Sequence, residues 1–187
     1  VVSLRDDRAT RAALDAATHA LRATPAEISA IRTYQRADDD LREHVNAMLR
    51  GRPIPPAEVA RVRLVISGID ALLSRAVLPV DLVVYRGVTL SRLIPPDTPL
   101  PATQIQNGYM STSLSRAVAE HGFAATALGG GAVLQISVPA GTHALWLRPL
   151  GRRDLRYEDE VLFPDRTFLT YLTRREAGTV FVESEVI

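Results

Sequence analysis

The spacing of apolar positions changes period once along this chain, at about Pro79. Before it the repeat is helical. After the break at Pro53-Ile54-Pro55-Pro56, Val59, Val62, Ile66, Ile69, Leu73 and Ala76 recur at three and four, with arginines on the other side. That stripe predicts the longest helix and a packing face. Further helices precede it. Thr24-Pro25-Ala26-Glu27 offers a cap residue, a proline at the first helical position and a glutamate three after the cap, a capping-box start. Asp38 to Arg50 reads as another helix, closed by Gly51.

Beyond Pro79 the apolar runs are short, β-branched and aromatic. Leu82-Val83-Val84-Tyr85 reads as a strand that delivers Arg86-Gly87 at its end, followed by a proline-rich loop (Pro95, Pro96, Pro99, Pro101). Asn107-Gly108 marks a turn into Tyr109-Met110-Ser111-Thr112-Ser113, and a helix is expected from Ser115 to about Leu128. Gly129-Gly130-Gly131 stops it, and strands are expected at Ala132–Val138, Ala144–Leu147, the apolar run before Pro164 with Glu158 and Glu160 at its mouth, Thr167–Leu172 and Thr179–Ile187. Helices over residues 1–78, then a mostly antiparallel set of strands over 79–187, make an α+β layout in one domain.

Composition narrows the function classes. An apolar fraction of 47% over 187 residues allows a sizeable core. A net charge of +1 gives no electrostatic footprint for nucleic acid or a membrane surface. The longest apolar region, Leu64 to Tyr85, is interrupted by Asp70, Arg75, Pro79 and Asp81, so no membrane span is expected. Cysteine is absent, and the four histidines show no i,i+4 pair, so no metal site is expected. Every one of the 22 basic residues is arginine. Codon bias accounts for that, and avoidance of lysine modification inside a host cell is the sharper reading. The chain opens on Val1-Val2-Ser3, which suggests a piece cut from a longer polypeptide.

Three short stretches carry candidate chemistry. Glu158 and Glu160 flank Asp159 at the mouth of a buried run, and on an extended chain they share one face roughly 7 Å apart, with Asp159 turned away. Two solvated glutamates at a strand edge fit the pattern. So does a carboxylate pair for chemistry at a sugar carbon, one stabilising positive charge and one preparing a nucleophile. Arg86-Gly87 suits paired contacts to phosphate with close backbone approach, although an arginine there is more often a structural ion-pair residue. Ser111 and Ser113 share a strand face from which hydroxyls can hold a carboxylate in one rotamer.

Together, Val84-Tyr85-Arg86-Gly87, Gly108-Tyr109-Met110-Ser111-Thr112-Ser113-Leu114-Ser115 and Glu158-Asp159-Glu160-Val161-Leu162-Phe163-Pro164 resemble the mono-ADP-ribosyltransferases of the R-S-E class. The subgroup is that of the clostridial binary and C3-like toxin catalytic domains. The resemblance implies helices packed on a mixed, mostly antiparallel β-sandwich, with NAD as substrate and no metal. It implies that Arg86 binds the NAD phosphates, that the Gly87 backbone holds the nicotinamide amide, and that Ser111 orients Glu160. Thr112 and Ser113 would support the strand and pocket, with Asn107 as an extra nucleotide contact. Glu160 would bond the nicotinamide-ribose 2′-OH and stabilise the oxocarbenium ion. Glu158 would activate an acceptor arginine on a target protein, which Tyr157 helps to read. Where this chain has Tyr157 the family often has glycine. Arg116 and Phe123 are the residues near the loop that covers the phosphates in the family. The expected role is that of a toxin or effector domain, secreted or delivered into a target cell, for which an immunity protein is a candidate partner. An NAD glycohydrolase and a catalytically inactive interaction module are the alternatives.

Overall fold

Among the described residues four α-helices precede the first strand: α1 (Asp7–Ala20), α2 (Pro25–Tyr34), α3 (Leu41–Leu49) and α4 (Val59–Leu73). The computed structural model describes residues 7–36, 40–89, 95, 98–124, 131–177 and 179–187. The capping box forms as the spacing predicts: Thr24 accepts from Glu27 N–H, and the Glu27 carboxylate accepts from Thr24 N–H. Gly51 follows α3 at φ 67°, which suits glycine. Asp38, where that helix is expected to start, lies outside the described residues. On α4 the buried stripe is Val62, Val65, Ile69, Leu72 and Leu73, rotated slightly from the expected one. None of the described helices is long and apolar enough to cross a membrane.

Eight strands follow among the described residues: β1 (Leu82–Thr89), β2 (Ala102–Gln106), β3 (Met110–Ser113), β4 (Gly131–Val138), β5 (Leu145–Trp146), β6 (Glu160–Phe163), β7 (Thr167–Ala177) and β8 (Thr179–Val186). They form one ladder in the order β2-β7-β8-β4-β1-β3-β6-β5. Among the described residues only β4 and β8 pair in parallel, so the mixed, mostly antiparallel expectation holds. The ladder narrows at its middle, where β1 and β3 share the Tyr85–Ser113 pair. Met110, Trp146, Val161 and Phe163 from one half bury a common core with Leu134, Ile136, Leu169 and Tyr171 from the other. Two sheet halves closed on one apolar layer are a sandwich. The outer face of the β5–β6 half, through Leu145 and Leu162, packs with Tyr109 against α2, α3 and α4.

Three expectations need correction, and a fourth, the helix after Ser115, holds over its described residues with a change of helix type. β2 forms inside what reads as proline-rich loop and turn. Its residues Ala102-Thr103-Gln104-Ile105-Gln106 are polar because it is an edge strand, paired with β7 alone. β1 continues four residues past Tyr85, so Arg86 sits mid-strand opposite Leu134. The segment after Ser115 is helical over Arg116–Val118 and a π-helix over Ala119–Ala124; the remainder of the expected helix lies outside the described residues. The charged loop is a 3-10 helix, Arg153–Glu158, so Glu158 is not on the strand that Glu160 opens. The extended-chain spacing therefore does not apply to the pair.

Candidate active site

Strand alternation decides where Glu160 points. Val161 and Phe163 enter the sandwich core, which leaves Glu160 and Leu162 facing the helices. On β3, Ser111 stands opposite Leu162 and Ser113 opposite Glu160, so both serines share that face. Ser111 Oγ donates to Glu160 Oε1 at 2.5 Å. The other oxygen, Oε2, accepts from Nε2 of Gln35, the residue that ends α2, at 2.8 Å. Arg42 Nη2 on α3 lies 3.6 Å from Oε1. Glu160 is only 4% exposed. A carboxylate at that depth is tolerated because both oxygens are hydrogen-bonded and a cation stands beside it.

Asp159 makes the corner between the two glutamates. Its backbone is left-handed, φ 44° and ψ 52°, a conformation that Asp tolerates better than most residues. As expected, its side chain turns away from the pair. Arg11 of α1 donates from Nε and Nη2 to Oδ2 at 3.0 and 2.7 Å, and Arg148 stands 3.8 Å from Oδ1. The Asp159 backbone oxygen accepts from Leu114 N–H at 3.0 Å. Glu158, half-buried, closes the 3-10 turn just ahead. Burial first, and then the neighbouring charge of Glu160, push its carboxyl above the ordinary value, with Arg42 pulling the other way.

The other two hydroxyls of the serine–threonine run brace the backbone. Thr112 Oγ1 donates to Val161 O at 2.9 Å. Ser113 Oγ donates to Glu158 O at 2.5 Å and accepts from Ser115 N–H at 2.9 Å. Ser113 thus fixes the end of the turn that carries Glu158, while Ser111 fixes the Glu160 carboxylate.

A cleft of about 590 Å³, a size common for ligand sites, opens beside this assembly; Ser111, Thr112 and Ser113 line it, and Glu158 and Glu160 lie behind them rather than in its lining. Tyr85, Arg86, Gly87, Ser111, Thr112 and Ser113 form one wall. Arg86 Nη1 donates to Ser111 O at 3.3 Å, so the expected phosphate clamp and the orienting serine are neighbours. The opposite wall comes from α3 and its continuation: Arg42, Glu43, Asn46, Ala47, Arg50 and Arg52. Tyr34 closes the end, stacked edge-on against Tyr109 with centroids 5.7 Å apart, and Arg42 lies over its ring at 5.2 Å. Gly108, at φ 83°, lets the β2–β3 turn approach α3; a Cβ there would crowd Asn46 Oδ1 and the Arg50 guanidinium.

Of the residues singled out in the sequence, Arg86, Gly87, Ser111, Thr112, Ser113 and Glu160 come together, with Glu158 beside them. Asn107 is exposed, and its backbone oxygen accepts from Arg50 Nε at 2.9 Å. Tyr157 is 68% exposed on the turn. Arg116 pairs with Glu120, and the Phe123 side chain lies outside the described residues. No metal-binding group of three or more His, Cys, Asp or Glu occurs among the described residues. Sequence reasoning missed the α3 wall, although Arg42, Asn46 and Arg50 recur every four residues and so share a helix face. It also missed Gln35 and Arg11, for which the sequence holds no local signal.

The profile of the ADP-ribosyltransferase exoenzyme family matches residues 10–180. The chain belongs to that family. Solved structures agree on the fold of this transferase at low identity. The C3 exoenzyme of Clostridium limosum aligns at 18% identity and TM-score 0.74, covering 97% of this chain and 95% of its own. A protein from S. aureus, solved with NAD, aligns at 18% identity and TM-score 0.75, covering 97% and 96%. The ADP-ribosyltransferase Vis from Vibrio splendidus, solved with agmatine, aligns at 17% identity and TM-score 0.68, covering 98% and 86%. No curated protein sequence matches the chain.

Proposed function

We propose that this transferase moves ADP-ribose from NAD to an arginine of a target protein, as the effector domain of a secreted or delivered toxin, and that residues 1–187 act as one catalytic unit. The hydrogen bond from Ser111 Oγ to Glu160 Oε1, with Glu158 one corner ahead, carries the reading. Four arginines around one cleft (Arg42, Arg50, Arg52 and Arg86) suit a pyrophosphate.

Nicotinamide leaves NAD as a neutral molecule, so bond cleavage needs no general acid. The residues have to hold the phosphates, fix the ribose and set negative charge beside the positive charge that develops on it. In this reading Arg86 takes phosphate, the Gly87 backbone takes the nicotinamide amide, and Glu160, locked by Ser111, faces the ribose. Glu158 has its carboxyl pushed upward, which suits a base that removes a proton from a guanidinium as the new bond forms. The arginine acceptor rests on this second glutamate and on the likeness to Vis, a protein solved with agmatine.

The test compares Glu160→Gln and Glu158→Gln for nicotinamide release and for labelling of agmatine. Loss of both activities is expected from Glu160→Gln. From Glu158→Gln the expectation is a ~10²–10⁴-fold loss of labelling with much of the NAD hydrolysis kept. Full agmatine labelling by Glu158→Gln would refute the arginine assignment. NAD hydrolysis by the wild-type chain with no labelled acceptor, in agmatine or in a cell lysate, would make it a glycohydrolase instead.

A further inference from the structure

We propose that Gln35 is a positioning residue that couples the acceptor-side turn to the carboxylate of Glu160; the inference rests on the transferase reading above. Gln35 is buried at 6% exposure, at the C-terminal end of α2, and both ends of its amide are used. Nε2 donates to Glu160 Oε2 at 2.8 Å, and Oε1 accepts from the backbone N–H of Arg152 at 2.8 Å. Arg152 is the N-cap of the 3-10 turn that ends at Glu158. One planar amide therefore spans from Glu160 to the start of the segment that carries Glu158.

Ser111 fixes only Oε1, so rotation of the carboxyl group about that contact is stopped by Gln35 at Oε2. Two features commit the amide to this placement. A Cβ at Gly151 would overlap Gln35 Oε1, so the glycine leaves the room in which the amide lies. Arg32, one turn earlier on α2, donates from Nε to Leu150 O at 3.1 Å, which holds the helix end against the same loop. A side chain placed only to fill space would not need a donor and an acceptor matched to two different elements. The consequence is that a movement of the Arg152–Glu158 turn, as when a target protein docks on it, is felt at the Glu160 oxygen through one residue.

Two variants separate the two ends. Gln35→Met keeps length and apolar bulk but loses both hydrogen bonds. Gln35→Glu keeps an acceptor for Arg152 and sets a like charge against Glu160 Oε2. The readouts are amide hydrogen exchange at Arg152, NAD affinity, and kcat for nicotinamide release. Gln35→Met is expected to speed exchange at Arg152 and to lower kcat about ten- to a hundredfold, with NAD affinity within about threefold of wild type. Gln35→Glu is expected to lower kcat similarly while Arg152 stays protected. Unchanged kcat in both folded variants, or unchanged Arg152 exchange in Gln35→Met, would overturn the proposal. So would failure of both variants to fold, or a lower melting temperature at unchanged kcat, since each assigns Gln35 a structural role. A wild-type chain that releases no nicotinamide would refute the transferase reading, and Arg152 exchange would still decide whether Gln35 ties the turn.

Discussion

Removing Arg11 tests whether the helical layer holds the corner between the two glutamates. Arg11→Ala deletes both hydrogen bonds to Asp159 Oδ2 and leaves Arg148 in place, 3.8 Å from the other oxygen. The pair is intermediate in burial, with side chains 32% and 12% exposed. Breaking a fully buried pair costs about 3–5 kcal/mol and an exposed one about 0–1, so this position calls for about 1.5–3 kcal/mol. In a chain of this size that is a fall of roughly 4–10 °C in melting temperature. Asp159→Asn keeps a residue that tolerates the left-handed backbone and removes only the charge. Denaturant unfolding of wild type, Arg11→Ala, Asp159→Asn and the double variant gives the coupling directly, expected at about 1–2 kcal/mol. Nicotinamide release should fall in the same variants, because the freed corner lies between Glu158 and Glu160. A melting temperature within about 1 °C of wild type for Arg11→Ala, with coupling below about 0.5 kcal/mol, would show that Asp159 holds its shape without α1.

Ser111→Ala should lower kcat for nicotinamide release about ten- to a hundredfold, because it frees Glu160 Oε1. NAD affinity should change little, since the backbone oxygen of residue 111 still accepts from Arg86; wild-type turnover would refute the orienting role. At acid pH the contact to watch is Glu27–Arg75, 2.8 Å, where the Arg75 hydrogen bond holds the Glu27 carboxyl at about 2 against an ordinary 4.5. A depressed carboxyl stabilises the fold fully above its unfolded value and loses that contribution as pH falls from about 4.5 through about 2. Urea unfolding across that window should show a shallower acid loss in Arg75→Ala than in wild type, and parallel curves would refute the linkage.

The helices were legible because their signals are local. The Thr24–Glu27 box, the glycine after α3 and the α4 stripe each need only a few neighbouring residues. The chemistry-bearing residues of β1, β3 and β6 stood out through three short motifs and the family they resemble; alternation along β3 gave only the shared face of Ser111 and Ser113. What was lost depends on distant partners. Ala102–Gln106 has no apolar pattern of its own and becomes a strand by pairing with β7. Glu158 leaves the strand because Asp159 adopts a left-handed backbone that Arg11 can hold, and nothing near Asp159 in sequence announces it. The α3 wall shows a readable polar stripe, but its meaning depends on what it faces across the cleft.

The contacts that hold the two acidic residues also set the order in which the molecule becomes competent during synthesis. Asp159 is anchored by a residue 148 positions away, Glu160 by one 125 away, and the turn before them by that same side chain at a separation of 117. Contacts of such length close late, after the helices they involve have formed. A growing polypeptide carries Arg11 and Gln35 long before it has anything for them to hold. Glu160 gains its rotamer only when the last third of the chain folds back on the first. A chain from which α1 and α2 have been clipped lacks the hold of Arg11 on Asp159 and of Gln35 on Glu160, even with every residue of the β3 wall present.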